Sequence, residues 1–228
     1  MQISIIIPVF NEAASIGPLL KYLMSNGGAQ VVEILVVDGG SSDDTVHIAE
    51  KSGAKVVYCS VCSRAAQMNM GAAHAQGDVL YFVHADTCPP ASFADDIVQS
   101  LASGYVMGCY RYRFDSKSFL LKINAFFNRY QFLWCQGGDK TFYIRREVFG
   151  QLGGYDEYYT IMEEYDFLRR AMPIYPLHII PKYAVVSARK YERNGWLRVQ
   201  LANTMVFRLF KKGASPEKMK SVYKSMLR

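Results

Sequence analysis

The sequence predicts an α/β domain: a mixed, mostly parallel sheet flanked by helices, with a helical appendage at the C-terminal end. Strand-like and helix-like segments alternate three times within the first 90 residues, the pattern of successive βαβ units. Val79-Leu-Tyr-Phe-Val-His84 is an apolar, β-branched and aromatic run that suits a strand buried on both faces, as parallel strands are. Half of the 228 residues are hydrophobic and 20% are charged, which supplies a core and argues against disorder.

Residues 3–10 read as the first strand, with a turn at Asn11-Glu12. Ile16, Leu19, Leu20 and Leu23 then recur at helical spacing until Asn26-Gly27-Gly28 closes the helix. Residues 31–37 form the second strand, which ends on Asp38, and residues 39–45 are a tight turn into a helix. A short third strand covers 55–58. Residues 64–75 are helical, with Ala65, Met68, Ala72 and Ala75 on one face, and the fourth strand runs to His84 before Pro89-Pro90 bars any ladder.

After a helix at 91–103, begun by Ser92, the pattern changes. Residues 105–114 read as a strand on a mixed or antiparallel part of the sheet, 118–132 as an aromatic-rich helix and 136–139 as a loop. A strand at 140–145, a short helix at 147–152 and an aromatic, acidic loop at 155–160 lead to a helix at 161–170. A last long helix, 196–212, places Leu197, Leu201, Met205 and Leu209 on one face beside Arg208, Lys211 and Lys212, and Lys220, Lys224 and Arg228 make a second basic stripe.

Charge is distributed unevenly. The net charge is +6, yet residues 189–228 hold eleven Lys or Arg against two Glu, so the preceding 188 residues carry −3. Two readings of the basic end stay open: a helix packed on the domain with a solvated basic edge, or docking to an anionic membrane surface or lipid-phosphate acceptor. Nucleic acid is disfavoured, because no recognition motif accompanies the charge. The odd cysteine count of five, the absence of a secretory signal before residue 3 and of any membrane-length apolar run predict a reduced, cytoplasmic protein. Cys59-Ser-Val-Cys62 has metal or redox spacing but no second pair, and reads as two ordinary thiols.

The first, second and fourth strands all stop on polar groups: Asn11 and Glu12; Asp38; His84 and Asp86. In open α/β sheets such ends face a ligand crevice. No Gly-x-Gly-x-x-Gly, Gly-Lys-Ser/Thr or Gly-x-Ser-x-Gly motif is present, which removes the dinucleotide dehydrogenase, P-loop and α/β-hydrolase readings. Separated carboxylates remain: Glu12, Asp38, Asp86, Asp139 and the pair Glu163-Glu164. An acid beside a glycine turn, such as Asp38, can accept from a nucleobase or ribose. Asp86, a hard oxygen ligand, can hold Mg²⁺ or Mn²⁺ together with substrate phosphates. Of two adjacent glutamates at a helix start, one can face the cleft as general base while the other stays wet or caps the helix. The plainer alternatives are a helix cap for Asp86 or Thr87 and a solvated first turn for Glu163-Glu164.

Six segments occur in the order found in one known family: Pro8-Val-Phe-Asn-Glu12, Asp38-Gly-Gly-Ser-Ser-Asp-Asp-Thr45, Ser63-Arg-Ala-Ala-Gln-Met-Asn-Met-Gly-Ala72, Phe82-Val-His-Ala-Asp-Thr87, Gly153-Gly-Tyr155 and Met162-Glu-Glu164. The chain resembles the family 2 glycosyltransferases over nearly its whole length. It is most similar to a short bacterial subgroup with His-Ala-Asp-Thr in place of Asp-x-Asp and a Ser-x-Arg, here Ser187-Ala-Arg189, before a basic helix. The resemblance implies a GT-A fold (Rossmann-like), a nucleotide-diphosphate sugar donor with a UDP-sugar favoured, a divalent cation (Mg²⁺ or Mn²⁺) and inversion at the anomeric carbon.

By position it implies Pro8, Val9, Asn11, Glu12, Asp38, Arg64, Ala85 and Asp86 as the nucleotide site and Asp86 as the metal ligand. It implies Glu164, or else Glu163, as the base that deprotonates an acceptor hydroxyl, with Gly138, Asp139 and Tyr155 on the acceptor side. Residues 1–188 would then be the catalytic domain, with 1–90 binding nucleotide and 91–188 the acceptor, and 189–228 a basic helical segment. The acceptor is unidentified, with a lipid-linked molecule among the candidates and the inner membrane face as a peripheral location. A nucleotidyltransferase and a non-catalytic sugar-nucleotide-binding module are the rival functions. The first would want a basic glycine-rich loop where Asn11-Glu-Ala-Ala-Ser15 stands, and the second rests on His84 and Glu164 departing from the family pattern.

Overall fold

The computed structural model describes residues 1–136 and 140–227. At its centre is β1 (Ile3–Val9), all seven residues of which are buried. It lies between β2 (Val31–Asp38) and β4 (Val79–Phe82), parallel to both, and β3 (Lys55–Tyr58) extends the parallel set beyond β2. Past β4 the sheet becomes mixed. β7 (Phe142–Arg145) runs antiparallel to β4, followed by β6 (Met107–Phe114), β8 (Leu177–Val186) and the two-residue β5 (Thr87–Cys88). The order is β3-β2-β1-β4-β7-β6-β8-β5.

Alternation along β1 builds two cores. Ile3, Ile5, Ile7 and Val9 pack with Leu20 and Leu23 of α1 (Ala13–Asn26) and with Phe93 and Ile97 of α4 (Phe93–Ala102). Ile6 faces the other way, toward Ala65 and Met68 of α3 (Arg64–His74), Phe149 of α6 (Arg146–Gln151) and Phe167 of α7 (Glu163–Ala171). Period 2 on a strand forces this split, and a sheet covered on both faces answers it. Gly71 lets α3 approach closely, since a Cβ there would collide with Ile6 Cγ2 and stand 3.1 Å from Val37. α2 (Thr45–Lys51) packs beside α1.

Several boundaries differ from expectation. β4 ends at Phe82, and Thr87–Cys88 resume pairing, antiparallel to Val186 and Val185, immediately before the prolines. The aromatic helix is shorter than predicted: α5 spans Phe119–Phe127, and a 3₁₀ turn covers Leu133–Cys135. β8 was not anticipated, because Pro181-Lys182 interrupts it. The sheet absorbs both residues in a bulge, with Tyr110 opposite Ile180 and Arg111 opposite Tyr183.

The C-terminal helices are α8 (Arg189–Asn194), α9 (Trp196–Lys211) and α10 (Pro216–Met226). α9 buries Val199, Ala202, Val206 and Phe210; of the four residues read as one apolar face, Leu209 packs partly against this core and Leu197, Leu201 and Met205 are left in solvent. Val206 and Phe210, with Met219 of α10, share a small core with Tyr159, Ile161, Met162 and Tyr165. Among the described residues, no helix is long and apolar enough to cross a membrane.

Candidate functional site

The carboxyl ends of β2, β1 and β4 lie side by side, and α1 and α3 leave β1 and β3 toward opposite faces of the sheet. That reversal opens a crevice at the strand ends. The loops after β1 and β2 are knitted together there. Asn11 adopts a left-handed φ of 55°, its N–H donates to Ser41 Oγ at 2.9 Å, and its Oδ1 accepts from Ser42 N at 2.8 Å. Glu12 N–H donates to Thr45 Oγ1 at 2.8 Å. Asp38 is buried, and its carboxylate accepts from Gly40 N at 2.9 Å and Ser41 N at 3.1 Å. Asp38 therefore shapes the glycine turn itself. Pro8 and Val9 are buried strand residues, and Gln67 Nε2 donates to the carbonyls of Val9 and Val37 at 2.8 Å, pinning α3 to both strand ends.

Ala85 is buried and Asp86 is exposed. The Asp86 carbonyl accepts from Ser187 N at 3.2 Å, and Arg189 reaches Glu12 Oε1 at 3.5 Å, so the segment after β8 ties the ends of β1 and β4. Among the described residues, no group of three His, Cys, Asp or Glu is close enough to hold an ion. One exposed carboxylate with hard oxygens fits a different arrangement, in which Mg²⁺ or Mn²⁺ is held by a single Asp and by substrate phosphates. Asp86 meets that requirement.

Glu163 and Glu164 open α7 directly after Met162, whose φ of 69° and ψ of 17° are left-handed, a conformation costly for a non-glycine residue. Both glutamates line an open cleft of ≈ 480 Å³, Glu163 buried in its wall and Glu164 partly open to it; neither is a wet cap. Phe10, Arg64 and Gln67 form one wall, and Lys190, Lys220 and Lys224 reach in from the C-terminal helices. Glu163 is 5% exposed; burial pushes its carboxyl pKa up, the Arg64 guanidinium opposes that, and Glu164 reinforces it. Glu164 is more accessible, and its Oε1 lies 3.0 Å from His84 Nε2. With Glu164 ionised, the imidazole N–H donates and holds this oxygen.

Tyr155 supports the glutamates from beneath. Asn69 brackets its backbone, donating to Tyr155 O at 2.8 Å and accepting from Tyr155 N at 2.9 Å. Its ring is buried against Phe82, Phe149 and Phe167, so it offers no open face to a sugar, and burial with the nearby Glu164 and Glu163 pushes its hydroxyl pKa well up. Gly138 and Asp139 lie outside the described residues, as does Arg228. Lys140, which follows them in sequence, is buried, with Nζ donating to Asn128 O at 2.8 Å and Gln136 Oε1 at 2.7 Å; burial lowers its pKa.

Sequence reading missed Gln67, Asn69, the His84–Glu164 contact and the three cleft lysines. Gln67 had a signal, since it follows Arg64 by three residues on one helix face. Lys220 and Lys224 were visible as a stripe, but nothing local says that the stripe turns toward the glutamates.

Residues 4–164 match the family model described as Glycosyl transferase family 2. An undecaprenyl-phosphate 4-deoxy-4-formamido-L-arabinose transferase of Edwardsiella ictaluri is 31% identical over 119 residues, 48% of this chain and 37% of that protein. The chain thus spans well under half the length of that curated relative. A mannosyltransferase from Pyrobaculum calidifontis, solved with GDP-Man and Mn²⁺, superposes with a TM-score of 0.70 at 21% identity, covering 98% of this chain and 68% of its own. Glucosyl-3-phosphoglycerate synthase from Mycobacterium tuberculosis, solved with Mn²⁺, UDP-glucose and phosphoglyceric acid, superposes at 0.68 with 19% identity, covering 93% and 80%.

Proposed function

The chain belongs to glycosyl transferase family 2 and has its GT-A fold, and from that premise we propose that it moves a sugar from a nucleotide-diphosphate sugar to an acceptor hydroxyl with inversion. The observation that carries the reading is the cleft that Glu164, held by His84 at 3.0 Å, shares with Arg64, with Phe10 just past β1, and with Gln67, which is hydrogen-bonded to the carbonyls of Val9 and Val37.

Glu164 takes the acceptor proton as the acceptor oxygen bonds to the anomeric carbon and the bond from that carbon to the diphosphate breaks on the opposite side. The diphosphate leaves with the bonding electrons. Glu163 is too deeply buried to meet the acceptor and serves to position its neighbour. Arg64, Lys190, Lys220 and Lys224 give the cleft a charge opposite to that of the donor's phosphates. Asn11, Glu12 and Asp38 build the loops against which the nucleotide rests, beside Pro8, Val9 and Ala85. A bound Mg²⁺ or Mn²⁺, with Asp86 as its protein ligand, supplies charge neutralisation at the leaving group.

A UDP-sugar is the favoured donor, as in the solved synthase from Mycobacterium tuberculosis, with GDP-mannose, as in the mannosyltransferase, the alternative; the acceptor is unidentified, with a lipid-linked molecule among the candidates, as the undecaprenyl-phosphate relative suggests. A cytoplasmic setting, residues 1–188 as the catalytic domain, and membership of the His-Ala-Asp-Thr subgroup complete the proposal.

Nucleoside diphosphate binding with and without Mn²⁺, measured by calorimetry, tests the site. Wild type is expected to bind more tightly with the metal, and Asp86→Ala to lose that increment; an undiminished increment would remove Asp86 from the role. Glu164→Gln is expected to keep donor binding and lose transfer by about 10²–10⁴-fold, the usual worth of a general base.

A further inference from the structure

Outside the cleft, the largest unexplained feature is apolar. Residues 116–134 leave Phe119 (73% exposed), Leu120, Ile123, Phe126, Phe127, Tyr130, Phe132 (61%) and Trp134 (54%) in solvent. On α9, Leu197 (64%), Leu201 and Met205 form a second exposed row, opposite to the buried one. Scattered surface leucines are ordinary, but a contiguous patch of this kind marks an interaction surface.

The two rows adjoin. Trp196 Nε1 donates to Asn124 Oδ1 at 3.3 Å, Asn124 Nδ2 donates to Tyr191 Oη at 3.3 Å, and Leu121 and Val199 share one small core. The inward faces of α5 and α9 are thus fastened to each other, which sets the two helices side by side with exposed apolar side chains on each.

Charge identifies the partner. Residues 116–136 contain Lys117, Lys122 and Arg129 and no acid; residues 193–214 contain five Lys or Arg and no acid. A second copy seated symmetrically on this face would set those cations against their own equivalents, an unfavourable self-contact. An anionic surface meets both requirements at once: aliphatic and aromatic side chains enter the boundary layer while Lys and Arg stems reach the phosphates. Phe132 and Trp134 stack at 6.3 Å with an interplanar angle of 6°, and the Arg129 guanidinium lies 3.9 Å over the Phe126 ring, pairing cation and aromatic at the level where headgroups lie.

We propose that the outward faces of α5, the turn at Tyr130–Trp134 and α9 form one docking surface for an anionic lipid bilayer. The surface needs neither donor nor acceptor, so it stands apart from the catalytic reading. It also differs from docking through the last basic stripe, since Lys220 and Lys224 line the cleft.

The test uses the full chain and vesicles of phosphatidylcholine, alone or mixed with phosphatidylglycerol, without nucleotide. Trp134 and Trp196 are the two tryptophans, so a Trp196→Phe background makes Trp134 emission the reporter. The expected result is flotation with the anionic vesicles, a blue shift of Trp134 emission and quenching by brominated acyl chains. The triple variant Phe119→Ser, Phe132→Ser, Leu197→Ser, with an unchanged Tm, is expected to bind at least about tenfold more weakly. Failure of wild type to float with anionic vesicles would overturn the proposal, as would equal flotation of the triple variant. Concentration-dependent dimerisation that shifts Trp134 emission without lipid would overturn it in favour of a second copy.

Discussion

All seven residues of β1 are buried, whereas in the nine-residue α5 only Leu121 is. The two segments are comparably apolar, so composition does not separate them. Position does. β1 is the centre of a sheet with helices on both faces, and each of its side chains enters one core or the other. α5 packs on β6 and the C-terminal helices through Leu121 and Asn124, while the rest of its apolar surface meets, among the described residues, only the half-exposed rings of Tyr130 and Trp134 and the Arg129 guanidinium, and stays largely in solvent. The lesson is that the first region is organised for folding and the second for contact.

Truncating Ile5 to Ala sharpens the contrast most. Its side chain is fully buried, and the substitution is expected to cost about 2–5 kcal/mol in denaturant unfolding. A cost below 1 kcal/mol would mean that the central strand is not the stabilising element.

An intermediate effect belongs to Glu163, buried at the start of α7. Its folded-state pKa lies above the ordinary 4.5, chiefly through desolvation, so across that window the folded state holds a proton that the unfolded chain has lost. The contribution of Glu163 to stability should therefore be full below about pH 4.5 and decline as pH rises toward the raised folded value, by at most about 1.4 kcal/mol per pH unit. Glu163→Gln should flatten that slope in thermal melts at several pH values. An unchanged slope would assign the pH dependence elsewhere.

Phe119→Ser is expected to change unfolding free energy by no more than about 0.5 kcal/mol, since the ring is mostly in water. A loss like that of Ile5→Ala would break the comparison, because α5 would then be part of the core.

Much of this was legible beforehand. The parallel half announced itself through alternation of segment types, but of the residues around the ends of its strands only Phe10 lines the cleft that holds Glu164. Asp38 was legible as a strand-end acid, but its hydrogen bonds to Gly40 and Ser41 were not, and they make it a builder of the turn. β8 escaped because Pro181 argues against a strand unless a bulge accommodates it, and a bulge is a property of the pair of strands. α9 carries two apolar stripes, and periodicity reports both without ranking them.

The sequence by itself determined the α/β class, the order of the parallel elements and the set of carboxylates available for chemistry, because periods of 2 and 3.6 and strand-ending residues are local properties of the chain. Only the tertiary structure decided which stripe of α9 faces inward, that Lys220 and Lys224 turn toward the cleft, and that His84 meets Glu164 across eighty residues of sequence. Those outcomes depend on what the rest of the fold places opposite each side chain, and contact between distant segments leaves no trace in the spacing of either one.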